Sequence, residues 1–325
     1  MLKVYDVMRK PGIKEVYCTY AVYIARFLNK FKLNLSKKIP QKVSRQALFF
    51  EIIQFLHEHG NSIIHLREDQ FKIPELNEVF SMSDANLFAF NSYFKEKKRM
   101  KFFKREDGIY VRVRDFVFLL PFPYGIFELA ETFYDECYGG FDVSNGTVID
   151  VGAFIGDTAI YFAGEGAKKV IAFEPAPPMY ETAIRNVQMN KLGNIINVRN
   201  EAVGERYGET MVKYEKLWPG LSSTFSSTRN RSKSYYKVKA IPISDVILGL
   251  DRVDLLKIDC EGCEHRILLH AYKSRVLRNI SNIIVEIHGN PYTILGLFSK
   301  SSYKIIKKMS HGKNLHLIHA CKEQV

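Results

Sequence analysis

Between residues 147 and 290 the apolar positions fall into short β-branched runs separated by helix-length segments. The runs are TVIDV (147–151), KVIAF (169–173), NIINV (194–198), VDLLKI (253–258) and NIIVEI (282–287), and AIYFAGEG (159–166) and PPMYETAIRNVQMNK (177–191) lie between them. Strands that are apolar at successive positions are buried on both faces. The alternation therefore predicts an α/β domain, a doubly wound parallel sheet with crossover helices on both sides.

Earlier in the chain the period changes. Residues 14–31 are apolar and aromatic on more than one face, and residues 44–59 carry Ala47, Phe49, Phe50, Ile52, Ile53, Phe55 and Leu56 at helical spacing between Ser44 and Gly60. Two helices are expected there. Lys101 to Phe118 reads as a hairpin turning at Asp107-Gly108, and a short helix over 127–138 ends at the Gly139-Gly140 break. The hairpin is taken as the boundary: residues 1–108 form a smaller, mainly helical N-terminal appendage and residues 109–325 form the α/β domain. The polar stretch from Trp218 to Ser234 reads as a loop or lid.

Composition narrows the class. With 325 residues, 46% of them hydrophobic, the chain can bury a full core, which excludes a disordered polymer. No run approaches the ~20 apolar residues of a membrane-spanning helix, so none is expected. The first residues, MLKVYDVMRKPG, lack an apolar segment with a small-residue cleavage site, so cytoplasmic residence is expected, with peripheral membrane contact left open. Five cysteines without framework spacing predict no structural disulfide. Cys260 and Cys263 lack the second pair that a zinc site needs, and no metal is expected.

The net charge of +12 is uneven, because residues 1–108 hold 20 Lys+Arg against 12 Asp+Glu. That segment suits an anionic partner, RNA or a membrane surface, as a plain lysine-rich surface also does. Oligomeric state leaves no mark in the sequence.

In an open parallel sheet the ligand sits beyond the carboxyl ends of the strands, and the first strand-to-helix turn is its usual cradle. Here that turn contains Asp150, Gly152, Ala153, Phe154, Gly156 and Asp157. Its Gly-x-x-x-Gly spacing differs from the pyrophosphate fingerprint and favours a nucleoside without phosphates, while Asp157 and Thr158 are expected to cap the next helix. The second strand ends in Glu174-Pro175, where a carboxylate can accept both hydroxyl hydrogens of a ribose. The third ends in Asn200-Glu201-Ala202, small and polar enough to border an adenine. The fourth ends Lys257-Ile-Asp259-Cys-Glu261-Gly-Cys-Glu264 and the fifth Glu286-Ile-His288. Charges at buried strand ends are costly unless paired or functional.

These segments resemble the FkbM-type methyltransferases. The likeness is carried by VIDVGAFIGDTAIYFA, KVIAFEPAP, NEAVGE, IPISDV, LLKIDCEGCE and IIVEIHG, within residues 125 to 320. It implies a class I methyltransferase (Rossmann-like) fold, a mostly parallel seven-stranded sheet closed by an antiparallel hairpin over Tyr303–Met309 and Leu315–Ala320. It also implies S-adenosylmethionine as cofactor, with contacts at Asp150, Gly152, Gly156, Glu174, Asn200 and Ala202, and a charged cluster at Lys257, Asp259 and Glu261. Phe154 departs from the family, which commonly has asparagine there. The implied reaction is O-methylation of a hydroxyl on a glycan, a glycolipid or another small molecule.

Two other readings fit parts of the chain. A nucleic-acid methyltransferase would use the basic appendage, with Arg229, Arg231 and Lys233 set near Phe225, Tyr235 and Tyr236. A basic adaptor on a nucleotide fold would carry no chemistry. The first lacks an Asn-Pro-Pro-Tyr-type segment, and the intact glycine turn and Glu174 argue against the second. A hydroxyl acceptor needs a proton acceptor near neutral pH, and an imidazole with an ordinary pKa of about 6.5 suits that task. His288 is therefore assigned as the base, Asp259 as the residue that orients it or the acceptor, and Lys257 and Glu261 as supports.

Overall fold

The computed structural model describes residues 64–67, 70–73, 78–81, 96, 98–121, 124–215, 233–310 and 314–323. The chain divides into two compact units, Met1–Asp84 and Ala85–Val325. In the first unit, β1 (Ile64–Arg67), β2 (Gln70–Ile73) and β3 (Glu78–Ser81) form an antiparallel sheet in that order. No element was expected over these strands from the sequence. The helices anticipated over 14–31 and 44–59 lie outside the described residues.

The second unit opens with an antiparallel sheet of β4 (Lys101–Arg105), β5 (Gly108–Val113) and β6 (Phe116–Leu120). The expected hairpin is present, but it belongs to this unit rather than marking its edge. The reason is local. The exposed edge of β6 is taken up by two asparagines one turn apart on helix α3 (Pro177–Met189) and its C-cap. Asn186 accepts the Leu119 N–H at 2.7 Å, and Asn190 accepts the Val117 N–H at 2.9 Å and donates to the Val117 carbonyl at 2.7 Å. Side-chain amides here replace a missing strand.

Between these lies α1 (Ile126–Phe133), then β7 (Thr147–Val151), α2 (Asp157–Gly164) and β8 (Lys169–Phe173). After α3 come β9 (Ile196–Arg199), β10 (Ala202–Gly204), β11 (Gly208–Glu215) and β12 (Lys233–Pro242). The rest is α4 (Ile243–Leu248), β13 (Val253–Ile258), α5 (Glu264–Lys273), a 3-10 turn (Val276–Asn279), β14 (Ile280–His288), α6 (Tyr292–Lys300), β15 (Tyr303–Ser310) and β16 (Leu315–Lys322).

The central sheet has seven strands in the order β15-β16-β14-β13-β7-β8-β9. Its neighbours pair in parallel from β14 to β9, and β16 runs antiparallel to both β14 and β15. This is the expected mostly parallel sheet with a closing hairpin. Val148, Ile149, Leu255, Leu256, Ile283 and Ile284 are all 0% exposed, so the inner strands are covered on both faces, as continuous apolar runs require. β10, β12 and β11 form a small side sheet. From β7 the chain winds outward through β8 and β9, then returns to place β13 on the other side of β7. The order therefore reverses between β7 and β13, and a crevice opens there beyond the carboxyl ends of the strands.

Candidate active site

At that reversal the β7 and β13 tips touch. Gly152 follows β7 with φ of +83°, and a Cβ built on it would lie 1.7 Å from the Asp259 carbonyl oxygen. Only glycine permits this approach. The expected reason for glycine was room for a ligand; the structure supplies a different one, the packing of one strand end on another. The Asp259 N–H donates to the Val151 carbonyl at 3.0 Å and completes the contact.

Beneath the turn lies a buried charge pair. Lys257, 2% exposed, sits with Nζ 3.1 Å from Asp150 Oδ1 and donates to the Gly152 carbonyl at 2.7 Å. The Thr158 hydroxyl donates to Asp150 Oδ2 at 2.6 Å. Burial raises the Asp150 carboxyl above its ordinary range although Lys257 opposes it, and Asp150 with Asp259 holds the Lys257 ammonium up against burial. Asp150 was expected to touch the cofactor and Lys257 to support catalysis. Both are instead enclosed, and they form the floor that shapes the turn.

The turn itself continues through Phe154, a non-glycine residue at φ +48°, to Gly156 at φ +81°. Asparagine tolerates left-handed backbone far better than phenylalanine does, so the departure noted at this position falls where the backbone is least suited to it. Asp157 does not cap α2; the N-cap is Gly156. The Asp157 carboxylate accepts the Thr132 hydroxyl of α1 at 3.0 Å, and burial pushes its pKa up to about 6. Thr158 is likewise committed to Asp150. The Gly152 and Ala153 amides both donate to the Phe173 carbonyl at 3.0 Å, so they extend the sheet rather than face a ligand.

Glu174, at the tip of β8, ties the turn to the next strand. Its two oxygens accept the Phe154 N–H at 2.9 Å and the Ala176 N–H at 2.8 Å. Each keeps a second lone pair for a ribose hydroxyl. Burial pushes this carboxyl up to about 7, against those two N–H donors and Lys257. Asn200 braces the tip by donating to the Glu174 carbonyl at 2.9 Å and the Pro175 carbonyl at 3.0 Å. Glu201 pairs with Arg199 at 2.5 Å, and Ala202 is buried at the start of β10. Beside them a cavity of about 450 Å³, lined by Pro177, Asn200, Glu201, Arg199, Lys237 and Lys239, has room for a purine. A carboxylate for a ribose next to a cavity for a base fits a nucleoside cofactor.

The other side of the crevice is a cluster of acids around one ring. His288 Nδ1 lies 3.0 Å from Glu264 Oε1, and Nε2 lies 3.2 Å from Glu261 Oε2 and 3.6 Å from Glu286 Oε1. Burial pulls the imidazolium down, but the Glu264 hydrogen bond and the charges of Glu261, Glu264 and Asp259 outweigh it and push it up to about 9. A ring that already carries its proton at neutral pH cannot serve as the base assigned to it. Asp259 does not orient that ring; its Oδ2 accepts the Tyr138 hydroxyl at 2.8 Å. The orienting carboxylate is Glu264, which is 0% exposed and also accepts the Gly262 N–H at 2.9 Å. Glu261 contacts the ring directly.

Three residues that sequence reasoning passed over face the same space. Burial pushes Glu128 of α1 up to about 7 and Glu131 well above the carboxylate range, with Asp259 adding to both and Glu286 to Glu131. Tyr138, between α1 and β7, is the third. An acidic pair three residues apart in an amphipathic helix looks like any solvated face, and nothing along the chain set these apart. A disulfide joins Cys260 to Cys263, where none was expected: the tight turn after β13 brings the two side chains together. The polar loop with Arg229 and Arg231 lies outside the described residues.

A family described as "Methyltransferase FkbM domain" matches residues 150–318. Methyltransferase sdnD of Sordaria araneosa is 28% identical over 191 residues, which span 49% of this chain and 73% of that protein. Methyltransferase 1 of Beauveria bassiana (strain ARSEF 2860) is 25% identical over 181 residues, 48% of this chain and 71% of that protein. Among solved structures, Sp1610 of Streptococcus pneumoniae, determined in complex with S-adenosyl-L-methionine, shares 17% identity over 57% of this chain and 70% of that one, with a TM-score of 0.36.

Proposed function

The chain belongs to the FkbM methyltransferase family, whose domain covers more than half of it, and is an S-adenosylmethionine-dependent methyltransferase; from this premise we propose that its acceptor is a hydroxyl of a glycan, glycolipid or small metabolite. The carrying observation is the acidic character of the crevice beside the glycine turn. Glu261, Glu264 and Glu286 converge there on one imidazole, Asp259 lies within 4.8 Å of it, and the charges of Asp259 and Glu286 are felt by Glu128 and Glu131. Carboxyl oxygens accept hydrogen bonds from hydroxyl groups whether or not the group is ionised, so this surface suits a hydroxylated acceptor.

When bound, S-adenosylmethionine supplies a sulfonium methyl group whose S–C bond breaks as an O–C bond to the acceptor forms, the O–H proton being released. The residues of the chain prepare that displacement. Glu174 takes the ribose hydroxyls, the cavity beside Asn200 takes the base, and the Gly152 turn sets both against the tip of β13. The Asp259 carboxylate at the mouth takes the acceptor's proton and passes it to water.

The test uses methyl-labelled cofactor with three acceptor pools: glycans and polyhydroxylated metabolites, glycolipids, and RNA. Label is expected in hydroxyls of the first two pools, at ether carbons resolved by mass spectrometry. Label confined to RNA bases or to amines would overturn the reading.

A further inference from the structure

We propose that the tips of β13 and β14 bind a divalent cation through Asp259, Glu286 and His288 Nε2, and that this ion holds the acceptor's hydroxyl oxygen. The inference rests on the hydroxyl reading for its role but not for the site itself. One ligand atom from each of the three residues lies within 4.8 Å of the others, close enough for a single ion to collect them. Two carboxylates and one imidazole suit a hard or borderline divalent cation of the magnesium and manganese kind.

The surroundings are built for ligation. His288 Nδ1 is gripped at 3.0 Å by Glu264, which is 0% exposed. A carboxylate on the far ring nitrogen fixes the tautomer, a recurring arrangement in metalloproteins, and Nε2 would exchange its 3.2 Å contact with Glu261 for the metal. Glu264 Oε2 is buried and has no hydrogen-bond partner. Lys257, the buried lysine nearby, is committed to Asp150 and the Gly152 carbonyl. Four carboxylates around one ring therefore need a cation or protons to be tolerated at this depth.

The position matches the chemistry. The Asp259 main chain packs on Val151 and Gly152, so the ligand set begins beside the cofactor turn. Three protein ligands leave coordination places toward the crevice. An acceptor hydroxyl taking one of them is oriented for the displacement and loses its proton more readily, by the route already described.

The full-length chain, stripped with a chelator, is titrated with Mn²⁺ alone by calorimetry and by loss of the free-ion paramagnetic resonance signal. One bound ion is expected. Glu286→Gln and His288→Ala should each weaken it at least ~10-fold, and Glu264→Gln roughly 10- to 100-fold, as loss of an orienting carboxylate does. Cofactor binding by each variant reports that its fold is kept, and if His288→Ala unfolds, Glu286→Gln decides. No Mn²⁺ binding, or binding indifferent to Glu286→Gln, overturns the site. Turnover on a hydroxyl acceptor should fall with chelator and return with Mn²⁺; turnover unmoved by chelator overturns the role. Because the titration needs neither cofactor nor acceptor, a bound ion with label going only into RNA would sink the acceptor reading and leave the site standing.

Discussion

Under the glycine turn Asp150 and Lys257 are enclosed as a pair, 0% and 2% exposed in their side chains, with the Thr158 hydroxyl on the acid and the Gly152 carbonyl on the ammonium. A few residues further along the same strands, Asp259, Glu261, Glu264 and Glu286 share one imidazole. The first region is balanced and closed, so its charges serve shape. The second carries acid in excess and stays partly open to solvent, which is the condition of a surface waiting for hydroxyl donors or a cation. The two lie on neighbouring strands, so the difference comes from what each charge meets and not from depth in the sheet.

Substitutions that touch the floor should have the largest effects. Gly152→Ala forces a methyl group into the Asp259 carbonyl, and we expect it to exceed the roughly 4–5 kcal/mol that marks exceptional single substitutions. Thermal unfolding would show the second unit lost or melting far below wild type; a normal melt would mean the β7 and β13 tips do not touch.

The sign of the next effect separates the two regions. Lys257→Met leaves Asp150 buried without its partner and should cost about 3 to 5 kcal/mol. Glu286→Gln removes a carboxyl that burial and Asp259 push up to about 8, and should stabilise by ~1 kcal/mol, as relief of a strained functional site commonly does. Chemical denaturation of both variants at neutral pH measures this, and like signs would erase the contrast between floor and mouth.

An effect of about the size of the Glu286 one lies at Glu174. Glu174 is held up at about 7 against an ordinary 4.5, so its protonated form is the one the fold favours. Its contribution to the stability of the cofactor-free domain is complete below about pH 4.5 and is lost as pH rises through about 7. Cofactor affinity should move the other way, because ribose hydroxyls donate best to the ionised carboxylate. About tenfold tighter binding at pH 8 than at pH 6 is expected by calorimetry, and Glu174→Gln should flatten that profile. A wild-type affinity independent of pH would place Glu174 outside the cofactor contacts.

Periodicity alone determined much of this protein. The parallel strands and the sheet class were readable, because strands buried inside such a sheet are largely apolar; the closing hairpin at Tyr303–Ser310 and Leu315–Lys322 was implied by the FkbM resemblance rather than by periodicity. Glu174 was readable for the same reason, being the acid at the end of such a run. What the linear order could not decide was which charged residue meets which. Lys257 and Asp259 are two apart at the end of β13, yet one is sealed against Asp150 and the other accepts from Tyr138 at the opening. Glu264 and His288 are 24 residues apart and become hydrogen-bond partners only when α5 packs at the end of β14. The protonation of His288, the enclosure of Lys257 and the pairing of Asn186 and Asn190 with β6 depend on burial and on contacts between distant segments. Local propensity carries no information about either, so the tertiary structure alone turned the expected base into a charged partner of glutamates.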